Sequence, residues 1–147
     1  MRLLRERPRS VSEVRQRLER RGHDDDAIEG AIRSALDGGL LDDRAFAKLW
    51  VTDRLWHHPL SRAAVAQELH AKGVDRSIVE ATLTEWYPAA REVELARELA
   101  SSRLARLRAV DPERRRNRTV NYMMRRGFSR ALSCRIVRQI EEETDGD

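Results

Sequence analysis

A basic residue followed by glycine ends the same helical stripe three times along the chain, and this repetition constrains the fold more than any other feature. The pairs are Arg21-Gly22, Lys72-Gly73 and Arg126-Gly127, with the glycines 51 and 54 residues apart. Four positions before each glycine stands Leu18, Leu69 or Met123, and eight before stands Val14, Val65 or Thr119. That spacing lies on one helix face. A glycine just beyond it suits the left-handed C′ position, with Arg or Lys completing the last turn against the helix dipole. Two residues after the glycines, Asp24, Asp75 and Ser129 are suited to cap a following helix. The stripes Ala27-Ala31-Ala35, Ile78-Thr82-Trp86 and Leu132-Ile136-Ile140 come next. Ile28-Ile32-Leu36 and Val79-Leu83-Tyr87 widen the buried face in the first two copies, whereas Ser133-Val137-Glu141 makes the third weaker.

Each helix-turn-helix pair is expected to follow another helix. Asp42 or Asp43 caps one carrying Phe46, Leu49 and Trp50, and Pro88 opens a longer one through Val93, Ala96, Leu99, Ala100, Leu104 and Leu107. Asp111-Pro112 reads as an N-cap with a proline at the first helical position, and Ser10 with Glu13 as a capping box. The first copy has only a stub, residues 2–7, in front. With 7 Gly and 4 Pro in 147 residues, a sandwich or barrel of short strands is disfavoured. The fold expected is all-α: three tandem three-helix units at 1–38, 40–87 and 88–143, with an acidic tail at 144–147. Each unit has a thin core, so they are expected to pack end to end.

The residues that carry chemistry do not assemble into a catalytic set. His57 and His58 are adjacent before Pro59 with Asp53 one turn earlier, and no further ligands stand at metal-binding spacing. His23 and His70 are isolated, and no Gly-rich phosphate loop occurs. The single Cys134 excludes an intramolecular disulfide and is expected to be half-buried. Of the aromatics, Phe46, Trp50, Trp86, Tyr87, Tyr122 and Phe128 fall mostly on apolar helical positions, while Trp56 is expected to be exposed. No apolar run reaches the ~20 residues of a membrane span, and no apolar stretch follows the basic start as in a signal peptide. A non-enzymatic, cytoplasmic protein without cofactor or metal is expected.

Charge is the remaining signal. The basic residues are 27 Arg and 2 Lys, against 25 acidic residues, for a net +4. A high-GC genome enriches Arg without functional meaning, but the distribution is uneven. Residues 103–140 hold 12 basic and 2 acidic side chains, before the acidic end from Glu141 to Asp147. Arg114, Arg118 and Arg125 share one helix face, Arg115 and Arg126 flank them, and Arg130, Arg135 and Arg138 come from the next helix. Such a face is either a solvated surface or the footprint of a polyanion: nucleic acid, or the acidic groove of a protein bound to it. Helix-turn-helix pairs also suggest a DNA reader. Against this, the helices after the first two glycines carry few base-reading residues, Arg33 and Arg76 beside Glu29 and Glu80.

These residues together resemble the RecX family, bacterial regulators of the RecA recombinase. Gly39-Leu40-Leu41-Asp42-Asp43-Arg44-Ala45-Phe46-Ala47 is similar to the family's Gly-x-Leu/Ile-Asp-Asp-x-x-Phe-Ala signature. Physically it is a turn, an acidic cap and two residues entering a core, so Asp42, Asp43 and Phe46 are assigned to structure. Arg9-Ser10-Val11-Ser12-Glu13-Val14 resembles the first-repeat pattern, Glu68-Leu69-His70-Ala71-Lys72-Gly73-Val74 the second, and Arg125-Arg126-Gly127-Phe128-Ser129 the third. The resemblance covers essentially the whole chain. It implies an elongated, curved row of three-helix repeats that binds the RecA filament on single-stranded DNA. It also implies suppression of filament growth, ATP hydrolysis, strand exchange and coprotease activity.

Two departures bear on this. Relatives usually have more helix before the Arg-x-Arg-Ser element, so the first repeat is expected to lack part of its opening helix and to be less stable. Trp56-His57-His58-Pro59-Leu60-Ser61 stands where relatives often have a Gly- and Arg-rich turn. The reading that results is a monomeric, non-enzymatic RecA modulator with at most weak DNA contact of its own. Its partner-binding residues are Arg114, Arg115, Arg118, Arg125, Arg126, Arg130, Arg135 and Arg138. The alternative is a helical module whose main ligand is nucleic acid itself.

Overall fold

The computed structural model describes residues 8–147, and the expected opening stub at residues 2–7 lies outside the described residues. Among the described residues there are eight α-helices and no strand. They are α1 (Val11–Arg20), α2 (Asp25–Asp37), α3 (Asp43–His57), α4 (Arg62–Ala71), α5 (Arg76–Trp86), α6 (Ala89–Arg106), α7 (Pro112–Arg125) and α8 (Arg130–Asp145). The three basic-glycine turns end α1, α4 and α7, as the periodicity predicts. At each turn the backbone closes in the same way. Gly73 N–H donates to the His70 carbonyl at 2.9 Å and Val74 N–H to the Leu69 carbonyl at 3.1 Å. Gly127 and Phe128 repeat the pair onto Met124 and Met123, and Gly22 and His23 onto Glu19 and Leu18. This double bond satisfies carbonyls that the helix end would orphan, and it requires the glycine's positive φ. Leu69 with Val74, and Met123 with Phe128, are buried pairs that add the apolar contact usual at such a turn.

The helix starts are equally local. The Ser10 hydroxyl accepts from Glu13 N–H at 3.1 Å while Ser10 N–H donates back to the Glu13 carboxylate at 3.4 Å, the capping box expected. Asp24, Asp111 and Ser129 cap α2, α7 and α8 through bonds to Ala27, Arg114 and Leu132.

The chain forms two compact units, one of Met1–Asp53 with Ala66–Trp86, the other of Arg54–Val65 with Tyr87–Asp147. In the first, Val14, Ile28, Ile32, Ala35 and Leu41 form a buried cluster with Val11 and Leu18 packed against it. Leu36 and Leu49, both on expected apolar stripes, are instead exposed. Two long-range bonds bind the start of α1. Asp43 accepts from Val11 N–H at 2.9 Å, and the Ser10 hydroxyl donates to the Lys72 carbonyl at 2.6 Å. The Gly73 turn comes so close to α1 that an added Cβ would lie 2.3 Å from Ser12 Cβ.

The second unit contains the same close approach. Ser61 N–H donates to the Arg126 carbonyl at 3.0 Å, and a Cβ on Gly127 would lie 2.5 Å from the Ser61 hydroxyl oxygen. Here α6, α7 and α8 pack on one another. They bury Leu95, Ala96, Ala100 and Leu104 from α6; Thr119, Val120 and Met123 from α7; and Ser133, Ile136 and Val137 from α8. The third copy's second stripe is thus stronger than its composition suggests. Ser133 is buried because its hydroxyl donates to the Ser129 carbonyl at 2.8 Å, and Thr119 does the same to Arg115. A hydroxyl that bonds its own helix backbone enters an apolar core at little cost. Tyr87, fully buried, donates its hydroxyl to the Leu60 carbonyl at 2.7 Å. Arg62 joins the same corner through its side chain to the Tyr87 carbonyl and its backbone to Glu92, both at 2.7 Å.

Candidate partner-binding surface

All eight arginines singled out in the sequence lie in the second unit, on or just after α7 and on α8. The structure divides them into two groups. Arg114, Arg118 and Arg125 on α7, and Arg130, Arg135 and Arg138 on α8, are exposed, with no ion pair among the described residues. At about 100° per residue, Arg114, Arg118 and Arg125 fall on the side of α7 opposite buried Thr119, Val120 and Met123. Arg135 and Arg138 likewise lie away from Ile136 and Val137 on α8. Each of these guanidiniums keeps its donors turned to solvent, free to grip a carboxylate or phosphate as a fork.

Arg115 and Arg126 are half-buried and already engaged. Arg115 donates to the Arg108 carbonyl at 3.3 Å. Arg126 sits 5.5 Å from the centroid of Tyr122, whose ring also carries the Arg103 guanidinium at 4.7 Å. The Nε of Arg103 is buried without a hydrogen-bond partner among the described residues, and the aromatic face compensates its charge. Arg126 is further fixed because its backbone carbonyl accepts from Ser61.

Arg116, left out of the sequence-derived set, makes a two-oxygen contact with Glu141 at 3.0 and 3.3 Å from its Nε. Arg97 on α6 pairs with Glu143. Both carboxylates lie on the last turns of α8, which continues as helix to Asp145. These partners are 25 and 46 residues apart, and no local pattern announces them.

The other sequence candidates take structural places. Asp42 accepts from Arg44 N–H at 3.0 Å and Ala45 N–H at 3.3 Å and so caps α3, while Phe46 and Ala47 are buried. Asp43 is half-buried, and burial raises its carboxyl above the ordinary range against the opposing hydrogen bond from Val11. Burial likewise pushes the Tyr87 phenol well above its ordinary range. Trp56 is 82% exposed, as the sequence suggests, beside Leu55, Pro59 and Leu99. Cys134 departs from expectation. It is exposed rather than half-buried, because the buried side of α8 runs through Ser133, Ile136 and Val137 and leaves residue 134 outside. Among the described residues no His, Cys, Asp and Glu group is arranged to hold a metal ion, and no helix is long and apolar enough to cross a membrane.

Comparison with known proteins agrees along the whole chain. Models of the first, second and third three-helix domains of RecX match residues 1–33, 42–83 and 90–137. The Mycobacterium avium "Regulatory protein RecX" is 38% identical over 138 residues, 93% of this chain and 79% of its own length. The Streptomyces coelicolor protein of the same name is 32% identical over all 147 residues, 78% of its length. In fold, the crystal structure of RecX from Lactobacillus salivarius superposes with a TM-score of 0.80 at 22% identity, covering 95% of this chain and 90% of that one. A second RecX crystal structure gives 0.75 at 23% identity, covering 93% and 66%. The chain belongs to the RecX family of regulatory proteins.

Proposed function

We propose that this protein regulates RecA by binding its filament on single-stranded DNA, and that it restrains filament growth, ATP hydrolysis, strand exchange and coprotease activity without catalysing a reaction. The observation that carries the reading, beside family membership, is the set of exposed arginines on α7 and α8 with no carboxylate partner among the described residues. A filament of RecA on DNA presents phosphates and acidic side chains, and arginines held on rigid helices meet such anions without first breaking internal bonds. Arg114, Arg118 and Arg125 are the principal contacts; Arg130, Arg135 and Arg138 extend the surface. Arg115 and Arg126 act by holding α7 in place as much as by contact.

The test is RecA's ATP hydrolysis on single-stranded DNA, with this protein titrated from far below the RecA concentration. Inhibition should appear well below equimolar protein. Arg118→Glu with Arg125→Glu should weaken it about tenfold or more, since charge-assisted hydrogen bonds are worth about 1.5–3 kcal/mol each. Inhibition unchanged by the double substitution would move the site elsewhere, and no inhibition at equimolar protein would defeat the reading. A module whose main ligand is nucleic acid is the second reading, favoured by the arginine stripe on α7. It requires tight binding of naked DNA at physiological salt and a salt dependence equivalent to several phosphates.

A further inference from the structure

We propose that the acidic end of α8 is a built-in competitor for the phosphates of single-stranded DNA. In the free protein its carboxylates occupy arginines of the basic third repeat, and a phosphate backbone displaces them on binding. The inference rests on the reading above, in which the third repeat meets a filament carrying single-stranded DNA, and it concerns a groove on the side of α7 away from Arg114, Arg118 and Arg125.

Three observations carry it. First, the charge sequence is abrupt: residues 103–140 hold 12 basic and 2 acidic side chains, and the next seven residues hold 5 acidic ones. Second, those carboxylates are placed. Because α8 continues to Asp145, Glu141 and Glu143 stand at set positions and pair with Arg116 and Arg97. Third, Glu141 and Asp145 line the same groove as Arg108, Arg115 and Arg116. A guanidinium fork accepts two carboxylate oxygens or two phosphate oxygens in the same plane, so the internal and external anions compete for one geometry.

The pairs contribute little to holding the fold. The arginine side chains are 51% and 41% exposed, with Glu141 at 20% and Glu143 at 62%. Ion pairs open to solvent on at least one side are worth about 0–1 kcal/mol, the Glu141 pair towards the upper end. Low worth is what makes exchange easy: a phosphate replaces a carboxylate at nearly equal energy. The consequence is lower DNA affinity and a shallower salt dependence, because an arginine that gives up its own carboxylate adds little to the net counterion release.

The experiment is anisotropy of a fluorescein-labelled oligothymidylate across a salt series, with three full-length proteins whose helicity is checked by circular dichroism. They are the wild type, Glu141→Gln with Glu143→Gln, and a control, Glu94→Gln with Glu98→Gln. The control removes the same charge from the Arg91 pairs on α6. The first double variant should bind about three- to tenfold more tightly at low salt, from two exposed pairs of the usual worth. Its log–log salt slope should steepen by about 1.4, from two further arginines at about 0.7 each. The control should change affinity less than about twofold. Equal tightening by both double variants would reduce the effect to net charge and overturn the proposal. No tightening, or no measurable DNA binding by either the wild type or the first double variant, would overturn it as well. Running RecA's ATP hydrolysis with the same proteins separates the two readings. Inhibition by the wild type with unchanged DNA binding in the first double variant ends this inference alone. Tighter DNA binding in that variant without RecA inhibition by any of the proteins ends the RecA reading alone.

Discussion

Replacing Gly73 with alanine puts a methyl group where the structure leaves no room, and the turn at Gly22 isolates the part of the cost that comes from backbone alone. The two glycines have nearly the same φ, +77° and +83°. An L-residue in the left-handed region costs about 1–2 kcal/mol, and the stiffer unfolded chain of alanine returns about 0.4–1 kcal/mol. Among the described residues nothing lies within 4 Å of a Cβ added at Gly22, so Gly22→Ala should lose only about 1 kcal/mol. At Gly73 the same carbon falls 2.3 Å from Ser12 Cβ and 2.4 Å from its hydroxyl oxygen. Contact begins near 3.5 Å or more, so either the turn or the start of α1 must move, at about 1–3 kcal/mol more. Gly73→Ala should therefore lose about 2–4 kcal/mol in all. Both positions belong to one compact unit, so urea unfolding followed by far-ultraviolet circular dichroism compares like with like. Adding Ser12→Gly removes the obstructing carbon and should recover the excess, less about 1 kcal/mol for a helical glycine. Equal losses at Gly22 and Gly73, or a double-variant loss equal to the sum of those of Gly73→Ala and Ser12→Gly measured singly, would refute the claim that close approach governs this turn.

Tyr87→Phe leaves the Leu60 carbonyl without its buried donor and should cost about 1–3 kcal/mol in urea unfolding. Because burial raises the Tyr87 phenol, the folded state keeps the proton while the unfolded chain loses it near the ordinary value of 10.0. Stability should therefore fall as pH rises past 10, and Tyr87→Phe should remove that component of the fall. Asp43 has the same sign at the acid end. Its raised carboxyl makes the associated stability greatest below the ordinary 3.8 and progressively lost as pH rises through the folded value. Asp43→Asn, whose amide oxygen still accepts from Val11, should flatten that segment of the pH–stability curve. A curve unchanged by the substitution would show that burial does not control this carboxyl.

Much of the architecture was legible because its causes are local. A glycine after a stripe of period four, a basic last turn and a serine or aspartate two residues on each act within one helical turn. Hence α1, α4 and α7 end where the spacing places them. Three features were harder to read. Ser133 looks polar in the sequence and is buried because its hydroxyl finds its own helix carbonyl, as does that of Thr119, which already stood on an expected stripe. Leu36 and Leu49 look apolar and are exposed. Cys134 is exposed because the core face of α8 runs through its neighbours.

The candidate surface divides the same way. That residues 103–140 form a basic stretch, and that Arg114, Arg118 and Arg125 share one helix face, follows from composition and the 3.6-residue repeat. Which guanidiniums stay open was decided by partners brought from elsewhere in the chain. Tyr122, one turn before Arg126, is local to it but also engages Arg103 from α6, while Glu141 and Glu143 hold Arg116 and Arg97. Helical period and turn chemistry are properties of neighbouring residues and can be read one turn at a time. The occupancy of an arginine depends on which acidic or aromatic side chain the packing of α6, α7 and α8 delivers to it, and that is set only when the helices meet.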